Sequence, residues 1–198
     1  MNTATGQQIR RPFFCFTLLK NRLIIRFAMP ILASNSMEFI SRSAEQTRRA
    51  GMRLGALLQK GDVICLVGDL GSGKTTLVQG ISAGWGSLDP VSSPTFVLVN
   101  VYRRSDEDHN EEQRLFHLDA YRLSGPEEAD ALDLDALLES GPLVVEWADR
   151  IQQALPSEHL LISMQFIDDN QRDMMISAHG PRYHQMLAEF RKQVFGVA

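Results

Sequence analysis

The run Gly68-Asp69-Leu70-Gly71-Ser72-Gly73-Lys74-Thr75 places a glycine, four residues, and then Gly-Lys-Thr in fixed order. That spacing is suited to holding phosphate. Gly71 and Gly73 admit backbone conformations and a close approach that a side chain would block, so successive amide hydrogens can converge on phosphate oxygens. Lys74 adds a mobile positive charge that reaches the β and γ phosphates, and the Thr75 hydroxyl is a magnesium ligand. Ser72 and Thr76 flank these groups and count among the nucleotide contacts, Thr76 being the weaker candidate because it already belongs to the following helix.

A phosphate loop leaves the reaction open until carboxylates are found for the metal and the attacking group. Two acids end short apolar runs. Glu146 follows Leu143–Val145, and Asp119 follows Leu115–Leu118, where alternation places His117 and Asp119 on one side. Taken alone, either acid is an ordinary solvated loop residue; beside a phosphate loop, each is a candidate at the ligand end of a parallel strand. Ser92–Phe96, with Pro94 stiffening it, reads as a switch segment sensing the γ phosphate or as a plain proline turn.

The elements needed to position these groups are also legible. Asp62–Val67 is a short, almost wholly apolar run, as expected of a central strand covered on both faces. Residues 76–85 read as the helix after the loop, giving the strand, glycine loop, helix order that phosphate binding requires. An earlier helix is predicted over Ser43–Lys60, with Ser43 as its cap and Gly61 as its stop. After Glu146, residues 159–167 and 172–180 read as two strands joined by Asp168–Gln171, an antiparallel hairpin. Residues 182–195 read as a closing helix. The expected fold is therefore α/β, a P-loop NTPase-like three-layer arrangement with a mixed, largely parallel central sheet and an antiparallel C-terminal hairpin.

Composition sets outer bounds. A chain of 198 residues, 44% of them hydrophobic, suits one substantial core. The net charge of −4 hides an asymmetry: residues 1–37 hold five basic and no acidic residues, leaving −9 on the rest. An acidic body argues against a broad nucleic-acid surface. Residues 1–37 form a basic, apolar leader, expected to be disordered or an extension upstream of a later start at Met29 or Met37, with residues 38–198 as the folded domain. Lys20, Asn21, Arg22 and Arg26 interrupt the leader well short of the roughly 18 apolar residues a spanning helix needs. A transit peptide and a surface-binding helix are its other readings. Cys15 and Cys65 sit in unlike contexts and read as free thiols of a reducing compartment. The five histidines lack zinc-like spacing. Residues 105–112, SDEDHNEE, read as a solvated hairpin loop.

In order and separation, GDLGSGKTTL, SPTF, HLDAYRL followed by PEEAD, and VVEW resemble the bacterial P-loop ATPase family of tRNA threonylcarbamoyladenosine biosynthesis, TsaE, also called YjeE. The resemblance covers roughly Ser43 to Ser177. It implies magnesium held by Thr75 and Glu146, and ATP contacted by Asp119, Arg172 and Ser43. Asp119 and Lys74 become the catalytic candidates, and Trp147 is placed beside the site. The resemblance further implies a cytoplasmic accessory ATPase, slow without partners, that acts on a complex of TsaB and TsaD, reaches tRNA only through that complex and touches no membrane. Ala120 and Ser72 depart from the usual family residues without removing a functional atom. The rival readings are a small-molecule kinase on the same loop and a non-catalytic assembly factor; a GTPase is disfavoured because no Asn-Lys-x-Asp segment occurs.

Overall fold

Strand β2, Val63–Val67, is apolar at every position because it lies at the centre of a sheet covered on both sides. The computed structural model of the chain describes residues 35–91, 98–106 and 111–196. Most of the leader, the SPTF segment and the tip of the acidic hairpin loop lie outside the described residues. In chain order the elements are β1 (Ser36–Ser41), α1 (Ala44–Gly55), β2, α2 (Lys74–Trp85), β3 (Val99–Asp106) and β4 (Glu111–Asp119). There follow α3 (Pro126–Asp130), α4 (Leu134–Leu138), β5 (Leu143–Glu146), β6 (His159–Phe166), β7 (Arg172–His179) and α5 (Pro181–Phe195). The sheet takes in Ser36 and Met37, the last two residues of the stretch set aside as leader, and Met37 is buried.

The seven strands are ordered β1-β7-β6-β2-β5-β4-β3. The pairs β6/β2, β2/β5 and β5/β4 are parallel, whereas β1/β7, β7/β6 and β4/β3 are antiparallel. The parallel character is thus confined to the four central strands; the β3/β4 hairpin supplies one edge, and β1 pairs onto the β6/β7 hairpin at the other. Alternation sorts the core into two layers. Ile64, Leu66 and Val144 face Leu54, Leu77, Ile81 and Phe190 from α1, α2 and α5. Val63, Cys65, Leu143 and Val145 face Leu123, Ala129, Leu134 and Ile151 on the other side. Burial in this second layer pushes the Cys65 thiol up to about 12.

Because β1 runs with the four parallel strands, five strand ends gather at one edge, and β7 starts there. The residues after β1, the loop after β2, Asp119, Glu146, the β6–β7 turn and Arg172 therefore share the edge where open α/β sheets bind ligands.

Helix α1 is fixed against α2 by facing glycines. A Cβ at Gly55 would stand 2.0 Å from the Ile81 carbonyl oxygen, and one at Gly80 would stand 2.1 Å from that of Arg48. Gly51 and Gly84 are equally tight, so the two backbones touch directly. Helix α1 ends at Gly55, short of the expected Lys60. Leu57 N–H and Leu58 N–H donate to Leu54 O and Gly55 O, three-residue bonds that tighten and close the last turn. The end of β2 opposite the loop is clamped by α5. Arg182 donates to both carboxylate oxygens of Asp62 at 3.0 and 2.7 Å, and the Tyr183 hydroxyl accepts the Val63 N–H at 2.7 Å.

Two consequences can be measured. Gly55→Ala gains helix propensity worth about 1 kcal/mol, but the methyl group would enter the α2 backbone, so a net loss of about 2 kcal/mol is expected in urea unfolding. Gly125→Ala, with nothing within 4 Å of its Cβ, should stay near wild type. The second consequence concerns His179, register partner of His159 with ring centroids 4.7 Å apart. Desolvation, then the charges of His159 and His184, hold it below the ordinary 6.5. Between the two values the unfolded chain binds the extra proton, so stability rises with pH through that window and is lost on acidification. His179→Gln should flatten the dependence of the urea midpoint on pH below about 6.5.

Candidate nucleotide site

The loop between β2 and α2 lies flush on β6, since a Cβ at Gly68 would stand 2.1 Å from the Met164 carbonyl oxygen. Gly71 and Gly73 take φ of 80° and 97°, the left-handed region that glycine supplies without strain. Gly73 opens α2, and its carbonyl accepts the Leu77 N–H. Lys74, only 4% exposed, turns its Nζ back onto the loop, donating to Gly68 O at 2.7 Å, Asp69 O at 2.9 Å and Ser72 Oγ at 3.4 Å. Desolvation lowers its ammonium below the ordinary lysine value, while Glu146, Asp119, Asp149 and Asp69 work against that shift.

Thr75, one residue into α2, donates from Oγ1 to Glu146 Oε2 at 3.1 Å. Glu146 is 3% exposed at the end of β5, and its other oxygen, Oε1, lies 3.1 Å from Nε2 of the fully buried His117. The other ring nitrogen, Nδ1, lies 3.0 Å from the Tyr102 hydroxyl, so both nitrogens of His117 are engaged. Asp119 and Glu146 are register partners on adjacent parallel strands. Burial raises the Asp119 carboxyl, Glu146 adds to the rise, and the Tyr121 N–H bond at 2.9 Å opposes it. Thr76 follows on α2, but it is the Thr75 hydroxyl that meets Glu146.

Trp147 directly follows Glu146 in a left-handed conformation, φ 57° and ψ 41°. This turn swings the indole over Lys74, whose Nζ lies 3.8 Å from the ring centroid, and against Tyr121 at 4.9 Å. On the other side of the loop, a Cβ at Gly73 would stand 3.8 Å from Nε of Arg172. That Nε is buried with no hydrogen-bond partner, although Nη1 of the same side chain donates to Asp168 O and Gln171 O at 2.6 and 2.9 Å. Ser43 stands at the same edge, but its hydroxyl accepts the Gln46 N–H at 3.1 Å and caps α1. A groove of about 620 Å³ runs beside it, lined by Arg42, Asp168, Asp169, Asn170 and Gln171.

The structure thus gathers Gly71, Ser72, Gly73, Lys74, Thr75, Asp119, Glu146 and Arg172 about one loop. The sequence reading assigned no role to His117 or Tyr102. Alternation had placed His117 beside Asp119, but Tyr102 enters only through the β3–β4 register. The donor set suits magnesium: Thr75 and Glu146 offer hard oxygens side by side. The orphaned Arg172 Nε beside Gly73 likewise suits an anionic ligand.

A glycine loop between a central parallel strand and a helix, with strand-end acids converging on it, defines a P-loop NTPase-like protein. The family model for threonylcarbamoyl adenosine biosynthesis protein TsaE matches residues 41–174, and the chain belongs to that family. The tRNA threonylcarbamoyladenosine biosynthesis protein TsaE of Treponema pallidum is 35% identical over 144 residues, 71% of this chain and all of that protein. The Bacillus subtilis protein of the same name is 34% identical over 75% of this chain and 89% of its own length. The crystal structure of Bacillus subtilis YdiB superposes with a TM-score of 0.64 at 29% identity, covering 80% of this chain and 95% of that one.

The Lys74–Trp147 contact predicts a measurable coupling. In a double-mutant cycle of Lys74→Met and Trp147→Ala, followed by urea unfolding of nucleotide-free protein, the two changes should interact by about 1 kcal/mol, the worth of a partly desolvated cation–π pair.

Proposed function

We propose that this chain binds ATP with magnesium at the shared strand edge and hydrolyses it in the cytoplasm as an accessory of tRNA threonylcarbamoyladenosine biosynthesis. The observation that carries this reading is the Thr75 hydroxyl, 3.1 Å from the Glu146 carboxylate and next in sequence to the buried loop lysine. The amides of residues 71–75 and the α2 N-terminus cradle the phosphates. Lys74 exchanges its bonds to Gly68 O and Asp69 O for phosphate oxygens. Thr75 and Glu146 would hold a magnesium ion, which when bound would neutralise charge developing on the phosphate oxygens. One Asp119 oxygen is engaged by the Tyr121 N–H, leaving the other to orient the attacking water. Arg172 contacts the nucleotide through its unpartnered Nε, and the groove beside Ser43 receives the nucleoside.

The protein acts on a complex of TsaB and TsaD and meets tRNA only through it, in keeping with an acidic body. No helix among the described residues is long and apolar enough to cross a membrane. Turnover by the chain alone is slow because Nη1 of Arg172 is tied back to Asp168 and Gln171, which leaves Nε to meet the nucleotide.

Phosphate release from ATP tests this. Wild type should turn over slowly alone and faster with TsaB and TsaD added, and Glu146→Ala and Asp119→Ala should each lose about 100-fold or more. Labelled phosphate appearing on a metabolite would instead identify a kinase. Tight ATP binding with full function in Asp119→Ala would identify an assembly factor.

A further inference from the structure

Three side chains on adjacent strands form a buried line ending at Glu146. Tyr102 on β3 is 3% exposed, His117 on β4 is 0% and Glu146 on β5 is 3%. Their alignment follows from register: Asn100 opposes His117, and His117 opposes Val144, which places Asn100, Tyr102, His117 and Glu146 on one face of the sheet. Hydrogen bonds run the length of this line. The Asn100 side chain hydrogen-bonds the Tyr102 hydroxyl, the hydroxyl lies 3.0 Å from His117 Nδ1, and Nε2 lies 3.1 Å from Glu146 Oε1.

A histidine with no exposed surface, both ring nitrogens engaged and a carboxylate on one of them is unusual in an apolar layer of Ile64, Leu66, Leu115 and Val144. An apolar residue of that volume would pack there without any polar group needing a partner. What the histidine adds is a fixed Glu146. With Oε1 held from the sheet side, the carboxylate cannot rotate, and Oε2 is presented to Thr75 at 3.1 Å.

We propose that His117, itself held by Tyr102, is a positioning residue that sets the Glu146 carboxylate for metal binding. The inference rests on the nucleotide-site reading above. His117 touches neither nucleotide nor metal. Its contribution falls on metal affinity and leaves phosphate binding by the loop and Lys74 alone.

The test uses manganese as the metal and the full chain with ADP. Manganese uptake is followed by electron paramagnetic resonance, and ADP binding is measured separately in EDTA. Against wild type, His117→Phe should weaken manganese uptake by about 10- to 100-fold, the usual effect of removing an outer-shell partner, with ADP binding in EDTA changed less than about twofold. His117→Gln, which can offer an amide donor toward Glu146, should recover part of the loss. Tyr102→Phe, which removes one oxygen from the line, should weaken uptake less than His117→Phe and serves where that variant fails to fold. Unchanged manganese uptake in His117→Phe, or in Tyr102→Phe if only that variant folds, overturns the inference. So does an equal loss of ADP binding in EDTA, which would mark the role as structural. Wild type that takes up neither ADP nor manganese would overturn the nucleotide-site reading and this inference together, an outcome distinct from the others.

Discussion

An ammonium and a carboxylate, Lys74 and Glu146, lie buried in one small volume at the edge of the sheet, 4% and 3% exposed. Removing either charge from water is costly unless polar atoms replace the solvent shell. Around Lys74 the replacement is made by two loop carbonyls, the Ser72 hydroxyl and the face of Trp147. Around Glu146 it is made by Thr75 and His117. Even so, desolvation still dominates for Lys74, whose ammonium stays below its ordinary value. These are the same charges that, on the function proposed above, meet phosphate and metal.

Holding such a site demands rigid supports, and β2 is held at both ends. At the far end, Arg182 and Tyr183 of α5 satisfy Asp62 and the first strand amide. At the near end, Gly68 presses against β6, so the loop leaves the strand in one direction only. Helix α2 cannot slide either, because the glycines of α1 and α2 bring the two backbones into contact. Packing this close locks the crossing more firmly than side-chain interdigitation would, since backbone atoms have no rotamers through which to relax.

Much of this was legible in the sequence. The phosphate loop, the acids ending two apolar runs and the closing hairpin followed from local pattern, because each is written in consecutive residues. Strand β1 was not read, since Ser36 and Met37 fell within the basic leader and its alternation spans only six residues. The α1–α2 contact was missed for a physical reason: a helical glycine reads as a propensity penalty until its neighbour is known. Tyr102 and His117 needed the order and register of three strands, and neither property is local. Arg172 was reached only through family resemblance; its orphaned Nε is a property of the packed structure.

The two halves of the site differ in how they are held, and the difference bears on how it works. Glu146 is fixed by bonds from His117 and Thr75 that lie within the folded layer, so its geometry is set before any ligand arrives. Lys74 is held by carbonyls of the loop itself, on a long flexible stem. Phosphate oxygens offer that ammonium stronger, charge-assisted bonds than neutral carbonyls do. Binding can therefore proceed by exchange at the lysine with little movement of the acids. On the function proposed above, the cost of organising the metal side falls on folding, and only the lysine side is left to be organised when nucleotide binds.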